Sequence, residues 1–238
     1  MLSKSARRAG AVAVPLVVPA AMRAVFPRLA HRLGPRRGYL SGFGIYYATC
    51  LALTAALAEP LDMVRMLRRR ARLPSPKPIA VAMLVVPPLG GLCTQFIPHR
   101  READPALMVF AASLATVNAT VEELLWHGVP LTIFGDEPIG AWVWPALGFT
   151  AWHLAPMSVR TPEQPRSFLL GAAMIGLGSG WVAYRTGSVK LNLVSHIATD
   201  AMGDSRSSSV ARTGLTASSR RPRAELRRRR PLVGDPAG

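Results

Sequence analysis

Six runs of this chain, residues 39–58, 79–97, 105–134, 139–157, 168–184 and 188–202, are almost wholly apolar, with charge gathered into clusters between them. That segregation limits the fold more than any motif does. About 20 apolar residues make a helix that crosses the ~30 Å hydrocarbon core of a bilayer. Inside that core every backbone group must find its partner within the protein. The chain is therefore predicted to be all-α, a polytopic transmembrane helix bundle of six to seven membrane helices. Residues 9–26 supply the seventh, weakened by Pro15, Pro19 and Arg23. Lys4, Arg7 and Arg8 ahead of a short apolar run ending in PAAM also fit a signal peptide.

Half of the 238 residues are hydrophobic and only 18% are charged, below the charged share of a soluble domain. The formal net charge of +16 resembles a nucleic-acid signal until it is located. Nine arginines and three acids fall in residues 204–238, a tail rich in Ser, Pro and Gly. The rest of the excess lies in the short loops 28–37, 65–77 and 99–101. Such clusters between spans contact anionic headgroups and mark the cytoplasmic side. The tail is expected to be disordered, cytoplasmic and membrane-facing, in a multi-pass protein of the cell membrane. No aromatic residue is interleaved in it for base stacking, which argues against nucleic acid as a partner. Cys50 and Cys93 lie in different apolar runs without metal-ligand spacing and are expected to be packing residues.

Three zones follow. Residues 1–103 hold the early membrane helices and the most basic loops, residues 104–203 a core of four apolar segments with short turns, and residues 204–238 the tail. With the tail inside, the positive-inside tendency holds for the last four segments but puts the basic loop 65–77 outside. Either residues 79–97, broken by Pro87-Pro88, do not fully cross, or another early segment is re-entrant. Within residues 168–184, Ala172, Gly176 and Gly180 recur every four residues as a small-residue face for close helix packing.

Against this apolar background the sequence TVEELLWHG, residues 120–128, is anomalous. Glu122 and Glu123 are adjacent, and His127 shares a helical face with Glu123. A charged side chain at the centre of a membrane helix costs roughly 2.5–3.5 kcal/mol on insertion scales, so such residues usually face a polar cavity, a partner or a substrate route. Two more polar insertions lie nearby: His153 in FTAWHLAP, and His196 with Asp200, four residues apart, in LVSHIATDAMG. At about 1.5 Å per residue, Glu122, His153 and His196 lie roughly 18, 21 and 14 Å from the same end of their segments. Two acids, two histidines and a further acid on three helices can thus meet at one level. A carboxylate beside imidazoles can deprotonate water while an imidazole or a metal steadies the oxyanion. Glu122, His153 and His196 could equally ligate a divalent metal such as zinc with an open water position. Both routes lead to amide hydrolysis. Ser195, next to His196, points to another face and is no nucleophile.

EELLWH, FTAWH and HIATD, in this order over residues 118–203, resemble the three signature elements of the CAAX prenyl protease and bacteriocin-processing family of intramembrane endopeptidases, type II CAAX prenyl endopeptidases among them. The family pattern is E-E-x-x-x-R, F-x-x-x-H and H-x-x-x-N or -D. The resemblance implies that Glu122 is the general base that activates water and that Glu123 orients the site. It implies that His153 and His196 bind the water or a metal and steady the oxyanion, with Asp200 completing the group. Phe149 would pack beside His153. It leaves open whether the enzyme is a metallopeptidase or works on glutamate and histidine alone. One departure stands out: His127 occupies the position of the family arginine, exchanging a permanent bidentate charge for a titratable ring. The implied substrate is a membrane-associated peptide or protein, which in eukaryotic relatives is lipidated. Two other readings stay open: a catalytically silent relative acting as a binding or immunity protein, and a proton-coupled transporter.

Overall fold

A computed structural model describes residues 2–101, 104–162 and 164–203; the tail, about which the sequence predicts disorder, lies outside the described residues. Helices follow one another with no strand among the described residues: α1 (Lys4–Leu33), α2 (Pro35–Leu57), α3 (Pro60–Arg68), α4 (Lys77–Gly91), α5 (Ile97–His99), α6 (Pro105–Glu122), α7 (Val129–Phe134), α8 (Trp144–Trp152), α9 (Leu154–Met157), α10 (Pro165–Thr186) and α11 (Lys190–Gly203). Among the described residues five helices are long and apolar enough to cross a membrane: Lys4–Leu33, Pro35–Leu57, Lys77–Phe96, Met108–Phe134 and Pro165–Thr186. The α8–α9 segment and α11 are shorter. At 14 residues α11 spans about 21 Å, less than a full hydrocarbon core.

Among the described residues three wide π-helical turns interrupt these helices, at Leu92–Phe96, Glu123–Gly128 and Ile139–Val143. The sequence explains all three. Each is closed by a bond spanning five residues, Ile97 N–H to Leu92 C=O, Val129 to Leu124 and Trp144 to Ile139. In each case the donor is the residue immediately before a proline, Pro98, Pro130 or Pro145. A proline ring collides with the carbonyl four residues back and offers that carbonyl no N–H. Widening the preceding turn relieves the collision without breaking the helix.

α1 continues straight through Pro15, Pro19 and Pro27, so residues 9–26 lie inside a 30-residue helix. Val14, Val18, Met22 and Phe26 on one of its faces are buried. Trp144 donates from Nε1 to the Val12 carbonyl at 2.9 Å, a side-chain bond that ties α8 to the backbone of α1. One core cluster runs from Val14 through Tyr46, Trp126, Phe149 and Trp152 to Val189. The early helices and residues 104–203 are thus packed as one body.

The difficulty over topology disappears in the structure. Arg7 pairs with Glu59 at 2.8 Å, and Arg8 grips Glu137 with both terminal guanidinium nitrogens. Tyr184 donates to the Asp136 carbonyl at 2.9 Å. The start of α1, the α2–α3 corner, the 135–138 turn and the end of α10 therefore share one end of the bundle. α3 lies at that end with Met63 and Met66 buried, their methyl groups against Gly128. Lys77–Phe96 is long and apolar enough to cross, so an alternating order of the long helices needs neither a partial crossing nor a re-entrant segment. The basic loop 65–77 simply sits opposite the end from which residue 203 emerges; charge is carried at both ends. The fork from Arg8 holds the Glu137 carboxyl below the usual carboxylate range. The contribution of this exposed pair is therefore in place above that range and lost as the pH falls through the lowered value.

The small-residue face of α10 packs as expected. The position a Cβ would take on Gly176 is 2.9 Å from Phe149, and on Gly180 it is 2.7 Å from Trp142 and 3.5 Å from His127. Glycine there lets α10 close on α8 and on the turn bearing Glu123 and His127.

Candidate active site

The turn Glu123–Gly128 begins at the second of the adjacent acids. A π-turn rotates successive side chains by less than an α-turn, which helps neighbouring residues face one cavity. Glu122 and Glu123 are 2% and 1% exposed, and both reach the same imidazole, His196 of α11. His196 Nδ1 is 3.0 Å from Glu123 Oε1. Its Nε2 is 3.5 Å from Glu122 Oε2 and 3.7 Å from Asp200 Oδ1. An ionised carboxylate only accepts, so Nδ1–H is the donor to Glu123. The two Nε2 separations lie at or beyond the limit of a direct hydrogen bond, so Nε2 is the less tightly held of the two ring nitrogens. Four of the predicted residues, Glu122, Glu123, His196 and Asp200, are thus brought together.

Glu122 is the most heavily braced. Its Oε1 accepts from Tyr46 Oη and from Trp152 Nε1, each at 2.9 Å. Tyr46 Oη accepts in turn from Trp126 Nε1 at 2.8 Å. The Tyr46 ring lies flat on Trp152, centroids 3.4 Å apart and planes at 10°. Glu122 Oε2 accepts from Asn118 Nδ2 at 3.3 Å, and the same amide donates to Asp200 Oδ2 at 2.8 Å. Buried carboxylates need such donors, since an unpaired charge in an apolar interior carries a large penalty.

His153 makes no hydrogen bond or ion pair with these four but shares a ring neighbour, Phe149, with His196. Its Nδ1 lies 2.8 Å from the Phe149 carbonyl. A carbonyl only accepts, so Nδ1 carries the proton and the neutral ring presents Nε2 as a lone pair. Phe149 touches both imidazoles edge-on, 4.7 Å from His153 and 6.0 Å from His196 between centroids. It packs one turn from His153, where the sequence put it, and it also backs the His196 ring. His127, in the position of the expected arginine, is 1% exposed and its Nδ1 has no partner. Glu123 Oε2 is likewise buried without one. Ser195 faces away and donates to the Leu84 carbonyl at 2.6 Å.

Among the described residues no group of three His, Cys, Asp or Glu side chains is arranged to hold a metal ion. Both nitrogens of His196 face carboxylates and Glu122 Oε1 is taken by two donors. As placed, Glu122, His153 and His196 do not fit a metal, and no step is derived through one.

Tyr46, Trp126, Trp152 and Asn118 belong to the site's structure, though the sequence motifs did not single them out. Tyr46→Phe removes one donor from Glu122 and the acceptor of Trp126 while keeping the ring stack. A lost bond to a charged group is worth about 1.5–3 kcal/mol. If the carboxylate carries an activity, that activity is expected to fall about 10- to 100-fold where those energies are lost from the transition state. The melting midpoint in detergent is expected to fall with the lost bond and the orphaned Trp126 N–H. A variant with wild-type turnover would show that the phenol only fills space.

Residues 104–202 match the family model of the type II CAAX prenyl endopeptidase Rce1-like proteins. No curated protein and no solved structure matches the chain.

Proposed function

We propose, from the match of residues 104–202 to the type II CAAX prenyl endopeptidase Rce1-like family model, that this multi-pass membrane protein hydrolyses a peptide bond of a membrane-associated substrate using water activated by Glu122. The observation that carries the reading is one imidazole, His196, shared between the paired carboxylates at the middle of the bundle. Asp200 is the most accessible of the four: its side chain is 24% exposed, against 5% or less for Glu122, Glu123 and His196.

In the proposed reaction Glu122 Oε2 takes a proton from water, and the water oxygen adds to the carbonyl carbon. His196, with Nδ1–H on Glu123 and Nε2 beside two further carboxylates, carries a proton on each nitrogen, and Nε2–H donates to the oxyanion that forms. The C–N bond then breaks, and the amine leaves with the proton returned from Glu122. One water is consumed and one acid and one amine are made. Glu123 accepts from Nδ1 and fixes the imidazole, while Asp200 faces Nε2. His153 Nε2, as a lone pair, can accept from water or from the departing N–H. The family makes a lipidated C-terminal segment the first substrate to try. The basic loops suit anionic headgroups.

The test uses purified protein in proteoliposomes with prenylated CAAX peptide and the non-prenylated counterpart, with and without chelator. Expected is cleavage of membrane-bound peptide. Loss of cleavage under chelation would assign the water to a metal instead of to Glu122 alone. A catalytically silent relative is the second reading, favoured by His127 and the unpartnered Glu123 Oε2. Intact peptide together with retained binding would establish it. Proton-linked flux in the same vesicles would point to a transporter.

A further inference from the structure

Asn118 lies one turn before Glu122, outside every motif, yet it touches both acids that flank His196 Nε2. Its Nδ2 carries two hydrogens and gives one to Glu122 Oε2 (3.3 Å) and one to Asp200 Oδ2 (2.8 Å). Those two contacts fix the amide's orientation, because a flipped amide would point its carbonyl at two carboxylate oxygens. Its Oδ1 is consequently held as an acceptor. That oxygen is buried and has no partner, which in a membrane interior is the signature of a group awaiting a donor.

The donor that suits the place is water. A water beside Glu122 Oε2 has two hydrogens, and only one can go to the base. The second needs an acceptor near by, and Asn118 Oδ1 sits on the residue already bonded to that same Oε2. With both hydrogens directed, the water's lone pair is turned toward the substrate carbonyl.

We propose that Asn118 is a positioning residue: its amide nitrogen braces Glu122 and Asp200, and its carbonyl oxygen orients the attacking water. The proposal rests on Glu122 being the base. Orientation of a reacting group governs the rate of the chemical step far more than affinity for the substrate.

Asn118→Leu, close in size but without polar atoms, is therefore expected to lower kcat about 10- to 100-fold with KM changed less than about threefold. Asn118→Ser, smaller and still polar, is measured beside it in case the apolar variant does not fold, with the same direction and a smaller loss. In a Glu122→Gln background the Asn118 change should add less than about threefold, since both act on one water. The readings separate cleanly. An inactive wild-type protein overturns the peptidase reading and this inference with it. An active wild type that Glu122→Gln silences, but whose kcat survives the Asn118 changes, overturns the inference alone. So does a rise in KM at constant kcat, or a full multiplicative loss in the double variant.

Discussion

Glu122→Gln is expected to lower peptide hydrolysis by about two to four orders of magnitude, the range that general-base catalysis supplies, while leaving a folded, membrane-inserted protein. The substitution keeps the shape of the side chain and the Oε1 acceptor, so Tyr46 and Trp152 retain their partner. It removes the charge and the proton-accepting oxygen. It also places an amide beside Asn118 Nδ2, donor against donor, and beside His196 Nε2. That local conflict should cost about 1–3 kcal/mol, less than the burial of the surrounding aromatic cage supports. Turnover and the detergent melting midpoint measured on one preparation separate the two effects. Activity within threefold of wild type would dismiss Glu122 as the base. Glu123→Gln makes a useful contrast, because Glu123 acts only by holding Nδ1 of His196, and its loss should be the milder of the two.

Much of this site is legible in the sequence, for reasons that can be stated. An acid in an apolar helix is costly anywhere, so Glu122 and Glu123 stand out without any knowledge of the fold, and the four-residue spacing of His196 and Asp200 sets them on one face. Asn118 carried the same signal, four residues before Glu122, but asparagine is neutral and draws less notice in an apolar run. Tyr46 carried none. It comes from α2, far away in sequence, and nothing in YYATC says which helix its hydroxyl will meet. The π-turn could have been anticipated from Pro130, since a proline two residues beyond Gly128 must disturb the turn before it. Topology was misleading because loop charge was weighed as if only one end of the bundle were basic. Arg7 and Arg8 answer the acids Glu59 and Glu137 at the α3 end, a pairing that charge counts along the chain do not contain. His153 shows a different limit. Depth sets it level with the others, and it shares Phe149 with His196, but depth is one coordinate and does not name its nearest partner, the Phe149 carbonyl.

Gly148→Leu should do the most damage to the fold, and through the fold to the site. Gly148 of α8 faces α1 at a point where a Cβ would lie 2.6 Å from Pro15 Cα, 2.5 Å from Pro15 Cβ and 2.7 Å from the Trp126 ring. Two of these atoms belong to a proline in mid-helix and cannot rotate away, so α1 itself must move. Overpacking of this kind costs about 1–3 kcal/mol where side chains can yield, and more where backbone must. A loss of about 3 kcal/mol or more is therefore expected, seen as a fall in the melting midpoint of the detergent-purified protein. The displaced Trp126 supplies the N–H that steadies Tyr46 Oη, and Tyr46 steadies Glu122. Whatever fraction folds should consequently turn over more slowly than wild type. Gly44→Leu is the matched control: it adds the same side chain to α2 with nothing within 4 Å of its Cβ, on a face suited to lipid, and both stability and turnover should be unaffected. If the two variants melt together, α1 is not clamped against α8 as described, and the support that runs from Pro15 through Trp126 and Tyr46 to the base loses its first member.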